Sequence, residues 1–267
     1  MATMVFFHAH PDDEAIATAG TMARAAAAGD RVVLVVATGG EEGEVAEGFL
    51  TEHEQLGDRR RAETHTAASL LGVARVAWLG YRDSGMMGTA ANAHHGSFWQ
   101  ADVEAAAHEL RAILDEEAAD VLVVYDSNGG YGHPDHIQVH RVGHRAAELA
   151  GTPRVYETTI NRDRVIELVE MARDSGMEGF EDDDGVDPET LGLPDAEITT
   201  VVDVTDQIEL KRRAMRAHAS QIAEDSWFLS LPEEAFRMVF GDESYVRTAP
   251  RFEGAIPEDR EDWLIGS

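Results

Sequence analysis

The chain has 267 residues, enough for one large α/β domain, and no cysteine, which excludes disulfides and thiolate metal sites and leaves His, Asp and Glu to hold any metal. Its 51 acidic and 22 basic residues give a formal net charge of −29, a field that repels nucleic acid and anionic membrane surfaces and argues against both as partners. No apolar run approaches the ~20 residues that span a bilayer, and the opening MATMVFFHAH lacks the basic stretch and apolar core of a secretory signal, so a cytoplasmic location is expected. The acidic excess, with Lys211 as the single lysine, fits salt adaptation and a GC-rich coding sequence equally well.

Residues 4–7 are a short apolar, aromatic run that reads as a strand. Pro11 suits the first turn of a helix, where its missing N–H would have no partner anyway. The Ala-rich stretch 12–28 reads as that helix, closed by Gly29. Residues 31–38 (RVVLVVAT) have the continuous β-branched pattern of a strand buried on both faces. Together they form a βαβ unit, which implies parallel strands and a right-handed crossover. The alternation continues with a helix at 58–71, a strand at 75–79, a Gly- and His-containing loop at 80–98 and a helix at 102–118. A strand at 121–125 and the Gly-rich loop SNGGYG lead to a helix from near Pro134 to near Gly151, then a strand at 154–160 and a helix at 162–174. Residues 175–197, with EDDDG, two prolines and several glycines, read as a variable exposed loop or lid. A strand at 198–204 and a helix at 205–222 follow, and the tail from 226 reads as irregular except for a short helix at 233–239. The expectation is one domain over residues 1–267: a Rossmann-like three-layer α/β fold, its mostly parallel sheet covered by helices on both faces. Homo-oligomerisation is left open.

Two motifs carry chemistry. His10, Pro11, Asp12, Asp13 and Glu14 follow the first strand, and Tyr131 to His136 (YGHPDH) follow the strand at 121–125. Ligands of open α/β sheets bind beyond the carboxyl ends of the strands, so the motifs meet if their strands are neighbours. Successive helical residues point about 100° apart, so one of Asp12 and Asp13 can bind a metal while the other reaches a water on it. His133 and His136 share a face of the second helix. Two His and one carboxylate leave coordination positions open, which is the catalytic rather than the closed structural pattern.

At these residues the sequence resembles the LmbE-like (PIG-L) N-deacetylase family. AHPDDE and HPDH match its signatures. TGGEEGEV at 38–45, RRAE with LLGV between 60 and 73, YRDSGMMGT at 81–89 and YDSNGGYGHPDH at 125–136 are similar to its actinobacterial branch, that of the mycothiol-pathway deacetylase and the mycothiol conjugate amidase. The resemblance is strongest over the first 150 residues, with HASQ (218–221) fitting beyond them. It implies that His10, Asp13 and His136 bind the metal, usually Zn²⁺, with Fe²⁺ or another divalent ion as alternatives. It implies Asp12 as general base and His133 as electrophile or general acid, with Asp135 orienting His133 and Tyr131 assisting at the oxyanion. It implies Glu44, Arg60 and Asp83 as contacts to a small amino-sugar conjugate. The implied reaction is removal of an N-acetyl group from an N-acetylglucosamine-type conjugate, or of a larger acyl group in the amidase variant. Proton transfer by Asp12 alone and by Asp12 with His133 both remain open. A non-haem iron oxygenase would also use two His and a carboxylate, but on a β jelly roll rather than on βαβ units. A catalytically silent sugar-binding protein is disfavoured by the intact Asp12 and His133.

Other residues have plainer readings. His8 shares a strand face with His10 and suits a supporting or core role. His140 and His144, at i,i+4, would suit a second metal site but read better as a partly exposed helix face. His94 and His95 fit a surface pair as well as a substrate contact. Apart from the resemblance, Arg60 reads as a partner of Glu63 on its own helix.

Overall fold

The computed structural model describes residues 1–174 and 190–265; of the expected loop or lid, residues 175–189 lie outside them. Seven strands, β1 (Thr3–His8), β2 (Arg31–Thr38), β3 (Arg75–Tyr81), β4 (Val121–Tyr125), β5 (Arg154–Thr159), β6 (Thr200–Asp203) and β7 (Asp242–Ala249), form one sheet in the order β3-β2-β1-β4-β5-β7-β6. β1 to β5 pair in parallel, and β7 runs antiparallel to both β5 and β6. The continuous apolar runs of β2 and β4 are explained by their place beside β1 at the centre of the sheet, where both faces are covered.

One face packs on α4 (Val103–Glu117) and α5 (Pro134–Ala150), with Val5, Phe7, Val33, Leu122 and Val124 meeting Leu110, Leu114, Val139 and Val142. On the other, Met4, Phe6, Val32, Leu34 and Val123 meet Met22 and Ala25 of α2 (Ala19–Ala27). Outside that layer, α2 packs with α3 (Leu56–Leu71) and α7 (Ile208–Ala217) through Ala23, Ala67, Leu71 and Met215. Three layers are therefore built, as the alternating periodicity predicts.

Three expectations are corrected. The helix over 12–28 is two, α1 (Asp13–Ala17) and α2, separated at Thr18, whose φ of −137° leaves the helix while its hydroxyl meets His8 Nε2 at 2.8 Å. The helix at 205–222 runs only through α7, after a 3₁₀ turn, and is broken at His218. The irregular tail contains the short helix α8 (Trp227–Ser230) and the strand β7, besides the expected α9 (Glu233–Phe240). β7 hides because a charge, Glu243, occupies one of its buried positions: it accepts Lys211 Nζ at 2.6 Å and the Gly20 and Thr21 amides at 2.8 Å each. A further helix, α6 (Arg162–Asp174), follows β5 as expected. Among the described residues no helix is long and apolar enough to cross a membrane.

Candidate metal and active site

β1 and β4 are direct neighbours, registered Met4 to Val121 and Phe6 to Val123. From β1 the chain continues outward through β2 and β3 on one side and through β4 and β5 on the other, so their carboxyl ends flank the switch in strand order. His10 lies two residues past β1, Asp13 opens α1, and His133 and His136 stand at the cap and first turn of α5. All three histidines are nearly buried, at 4–7 % exposure.

His136 Nε2 lies 3.3 Å from His10 Nδ1 and 3.4 Å from Asp13 Oδ1, and His10 Nδ1 lies 3.5 Å from Asp13 Oδ2. Ligands about 2.1 Å from a tetrahedral ion stand about 3.4 Å apart, so these donors have the spacing of three corners of such a site. The far sides of both rings are committed. His136 Nδ1 donates to the Gly129 carbonyl at 3.1 Å, and His10 Nε2 donates to Asp135 Oδ2 at 3.1 Å with Asp83 Oδ1 at 3.5 Å. The inward nitrogens are thus left to share something positive. Burial opposes charge on His10, yet the Asp13, Asp135 and Asp83 carboxylates outweigh it and lift its titration well above the ordinary value. These residues could hold a cation there, their outer hydrogen bonds being of the kind that orient metal-binding imidazoles.

Asp12 takes a left-handed backbone (φ 96°), which is strained for a residue other than glycine. Its amide donates to Glu14 Oε2 at 3.1 Å, while Glu14 Oε1 holds His218 Nε2 at 2.6 Å, a pair wholly excluded from solvent. The Asp12 carboxylate lies 3.3 Å from Arg60 Nη2. Burial lifts its carboxyl to about 6; Arg60 works against this and Asp13 adds to it.

His133 Nδ1 accepts the Asp135 amide at 3.1 Å, so that nitrogen carries a lone pair and the ring proton sits on Nε2. Burial, with His10 and His136 as neighbours, pushes its pKa down to about 4. Asp135 meets His133 through its backbone amide, while its side chain bonds elsewhere. Its oxygens receive His10 Nε2, the Ser84 amide at 2.9 Å and the Ser84 hydroxyl, so the carboxylate steadies His10 instead. Tyr131 is 44 % exposed, its hydroxyl 3.4 Å from His136 Nε2 on the open side.

Of the expected sugar contacts, Arg60 and Asp83 lie against Asp12 and His10 of the site. Arg60 is buried and donates to the Gly40 carbonyl at 2.7 Å and to Pro11, a frame for Asp12 rather than an open cation. Glu63 instead takes the Ser220 amide at 3.0 Å and the Ser220 hydroxyl at 2.6 Å. Asp83 is buried and accepts the Gly85 and Glu42 amides at 2.8 and 3.2 Å. Burial would raise its carboxyl, but His10 and those amides outweigh it and hold it well below the carboxylate range. Glu44 is exposed, its carbonyl accepting Gln221 Nε2 at 3.1 Å. His94 and His95 are exposed and pair with each other, their rings 4.7 Å apart.

Residues 5–147 match the family PIG-L: GlcNAc-PI de-N-acetylase. The chain is 42 % identical over 259 residues to the 1D-myo-inositol 2-acetamido-2-deoxy-alpha-D-glucopyranoside deacetylase of Acidothermus cellulolyticus, covering 91 % of this chain and 88 % of that one. It is 45 % identical over 240 residues to the protein of the same name from Thermobifida fusca, covering 82 % and 83 %. The chain belongs to the PIG-L family. The N,N'-diacetylchitobiose deacetylase of Pyrococcus horikoshii, solved with an inhibitor, superposes with a TM-score of 0.59 at 26 % identity, over 92 % of this chain and 83 % of that one.

The fold adds residues around the site histidines that the sequence reading did not connect to them. Tyr125 stacks on His136 at 4.4 Å and 9°, and its hydroxyl meets His8 Nδ1 at 2.7 Å, so His8 supports the site through Tyr125. Asp126 Oδ1 accepts the Asn128 and Gly130 amides at 2.9 Å each, shaping the turn that presents the Gly129 carbonyl. The Asp-Ser-Asn-Gly-Gly run is the signal that marks such a turn. Gly129 is required there: its φ is +62°, and a Cβ would collide with that of His136.

Proposed function

We propose that the chain is a metal-dependent N-deacetylase that hydrolyses the acetamide of an N-acetylglucosaminyl–inositol conjugate. The observation that carries this reading is the meeting of His10 Nδ1, His136 Nε2 and the Asp13 carboxylate at 3.3–3.5 Å, their outward hydrogen bonds already made. These three residues would hold the ion, and a set of two imidazoles and one carboxylate suits Zn²⁺. When bound, such an ion polarises the amide carbonyl and lowers the pKa of a water toward about 7.

The protein's own groups do the rest. Asp12, framed by Arg60 and by the amide bond to Glu14, takes the proton of the attacking water. His133 is a hydrogen-bond donor through Nε2, because protonating Nδ1 would set an N–H against the Asp135 N–H. It therefore stabilises the developing oxyanion, with Tyr131 on the open side, and is not the acid. Asp12 then returns its proton to the departing amine, so one carboxylate serves both steps.

We assign the whole chain to one catalytic unit, since α7 and the turn after it supply His218 and Ser220 beneath Asp12 and Arg60's helix. The substrate follows from the relatives' named activity and fits a small, uncharged conjugate entering a site on an acidic protein. A panel of N-acyl glucosaminides, with and without inositol, tests the assignment. Mass analysis should show acetate and a free amine from the N-acetyl inositol conjugate, and turnover confined to longer acyl groups would reject it.

A further inference from the structure

We propose that the chain carries a second transition-metal site, built from His140, His144 and Glu157 with the Tyr125 carbonyl as a fourth donor. It lies on the same helix as His136, one and two turns further along, where α5 crosses β5.

His144 Nε2 lies 2.7 Å from Glu157 Oε1, and His140 Nδ1 lies 3.3 Å from that same oxygen and 3.1 Å from the Tyr125 carbonyl. One nitrogen from each ring and a carboxylate oxygen fall within 4.8 Å of one another. Spacing alone makes His140 and His144 an ordinary helix face; Glu157, from a different strand, turns the face into a cage. A divalent ion with ligands at about 2.1 Å needs donors about 3.4 Å apart, so the His140 distances nearly fit and the His144–Glu157 pair must open by about 0.7 Å. The side chains are 12–29 % exposed, which leaves room for that adjustment and a path for the ion.

Burial opposes charge on His140, yet Glu157 and the Tyr125 carbonyl overcome it. The net charge of −29 also favours a cation. Imidazole with carboxylate selects zinc, nickel or copper over magnesium or calcium. The site is separate from the proposed catalytic ion, and Tyr125 stands between them, its ring on His136 and its carbonyl facing His140.

The test is equilibrium dialysis of the metal-stripped full chain against Zn²⁺ alone at neutral pH, with metal analysis. The wild type should bind two equivalents. His140→Ala/His144→Ala should bind one and keep deacetylase activity, and Glu157→Gln, which preserves the packing, should bind the second at least tenfold more weakly. His94→Ala/His95→Ala should still bind two. A wild-type count that the double His140/His144 variant leaves unchanged overturns the proposal, whether that count is one or two, as does a loss on removing His94 and His95. His136→Ala should lose the other equivalent only, so failure of the catalytic reading would be seen separately.

Discussion

His10 Nδ1 and His136 Nε2 face each other across 3.3 Å, and each ring has its opposite nitrogen tied to a fixed acceptor. The acceptors come from different places: Asp135 from α5 and the Gly129 carbonyl from the turn after β4. The two imidazoles are therefore oriented before any ion arrives, so little of the binding free energy is lost to ordering side chains.

The Asp135 carboxylate holds His10 rather than His133, so Asp135→Asn should act on the metal. Zn²⁺ affinity should fall about 10- to 100-fold, the usual cost of removing a partner behind a metal-binding imidazole. Competition against a chromogenic chelator reads this directly. Unchanged affinity with reduced turnover would instead return Asp135 to the role of orienting His133.

His133 is placed as a neutral donor. His133→Ala should lower kcat about 10²- to 10³-fold, the cost of losing an oxyanion donor, while the bound metal stays at the wild-type level. The alkaline limb of the pH–rate profile should keep its position. Disappearance of that limb in the variant would show that His133 supplies the proton after all.

Lys211, the single lysine, is 1 % exposed and donates to Glu243 at 2.6 Å. Lys211→Met leaves a buried carboxylate with only amide and hydroxyl donors. It should cost about 3 kcal/mol or more, read as a fall in the urea midpoint at unchanged slope. Adding Glu243→Gln should recover part of the loss. A midpoint within experimental scatter of wild type would show that the charge pair contributes nothing.

The His140–Glu157 pair predicts a pH window for the metal-stripped chain. Burial would lower His140, but Glu157 raises it above its ordinary 6.5, so that stabilisation is complete below 6.5 and lost as pH climbs through the folded value. Burial would raise Glu157, but His140 and His144 bring it below 4.5, so its contribution is complete above 4.5 and lost as pH falls through the folded value. The stability gap between wild type and Glu157→Gln should be largest between these limits, at about 1 kcal/mol. A gap that is flat from pH 4 to 9 contradicts the pairing.

The sequence makes legible what is local. Continuous β-branched runs reveal β2 and β4, and the two His-Pro-Asp motifs reveal the site because each directly follows a strand or its loop. Contacts between distant segments stay hidden. Nothing in the spacing tells that Glu14 and His218 pair across 204 positions, or that Arg60 turns inward to Gly40, Pro11 and Asp12. β7 was obscured by a buried charge that makes sense only beside Lys211. Thr18 looks like any helical threonine until His8 takes its hydroxyl.

The most direct measurement is acetate release from an N-acetylglucosaminyl–inositol conjugate by metal-stripped protein during Zn²⁺ titration, for the wild type and for His136→Ala. The wild type should be silent when stripped and regain turnover with the first tight equivalent, and His136→Ala should stay silent at that stoichiometry. Full turnover by stripped protein, or recovery by His136→Ala at one equivalent, would contradict a site built on His10, Asp13 and His136.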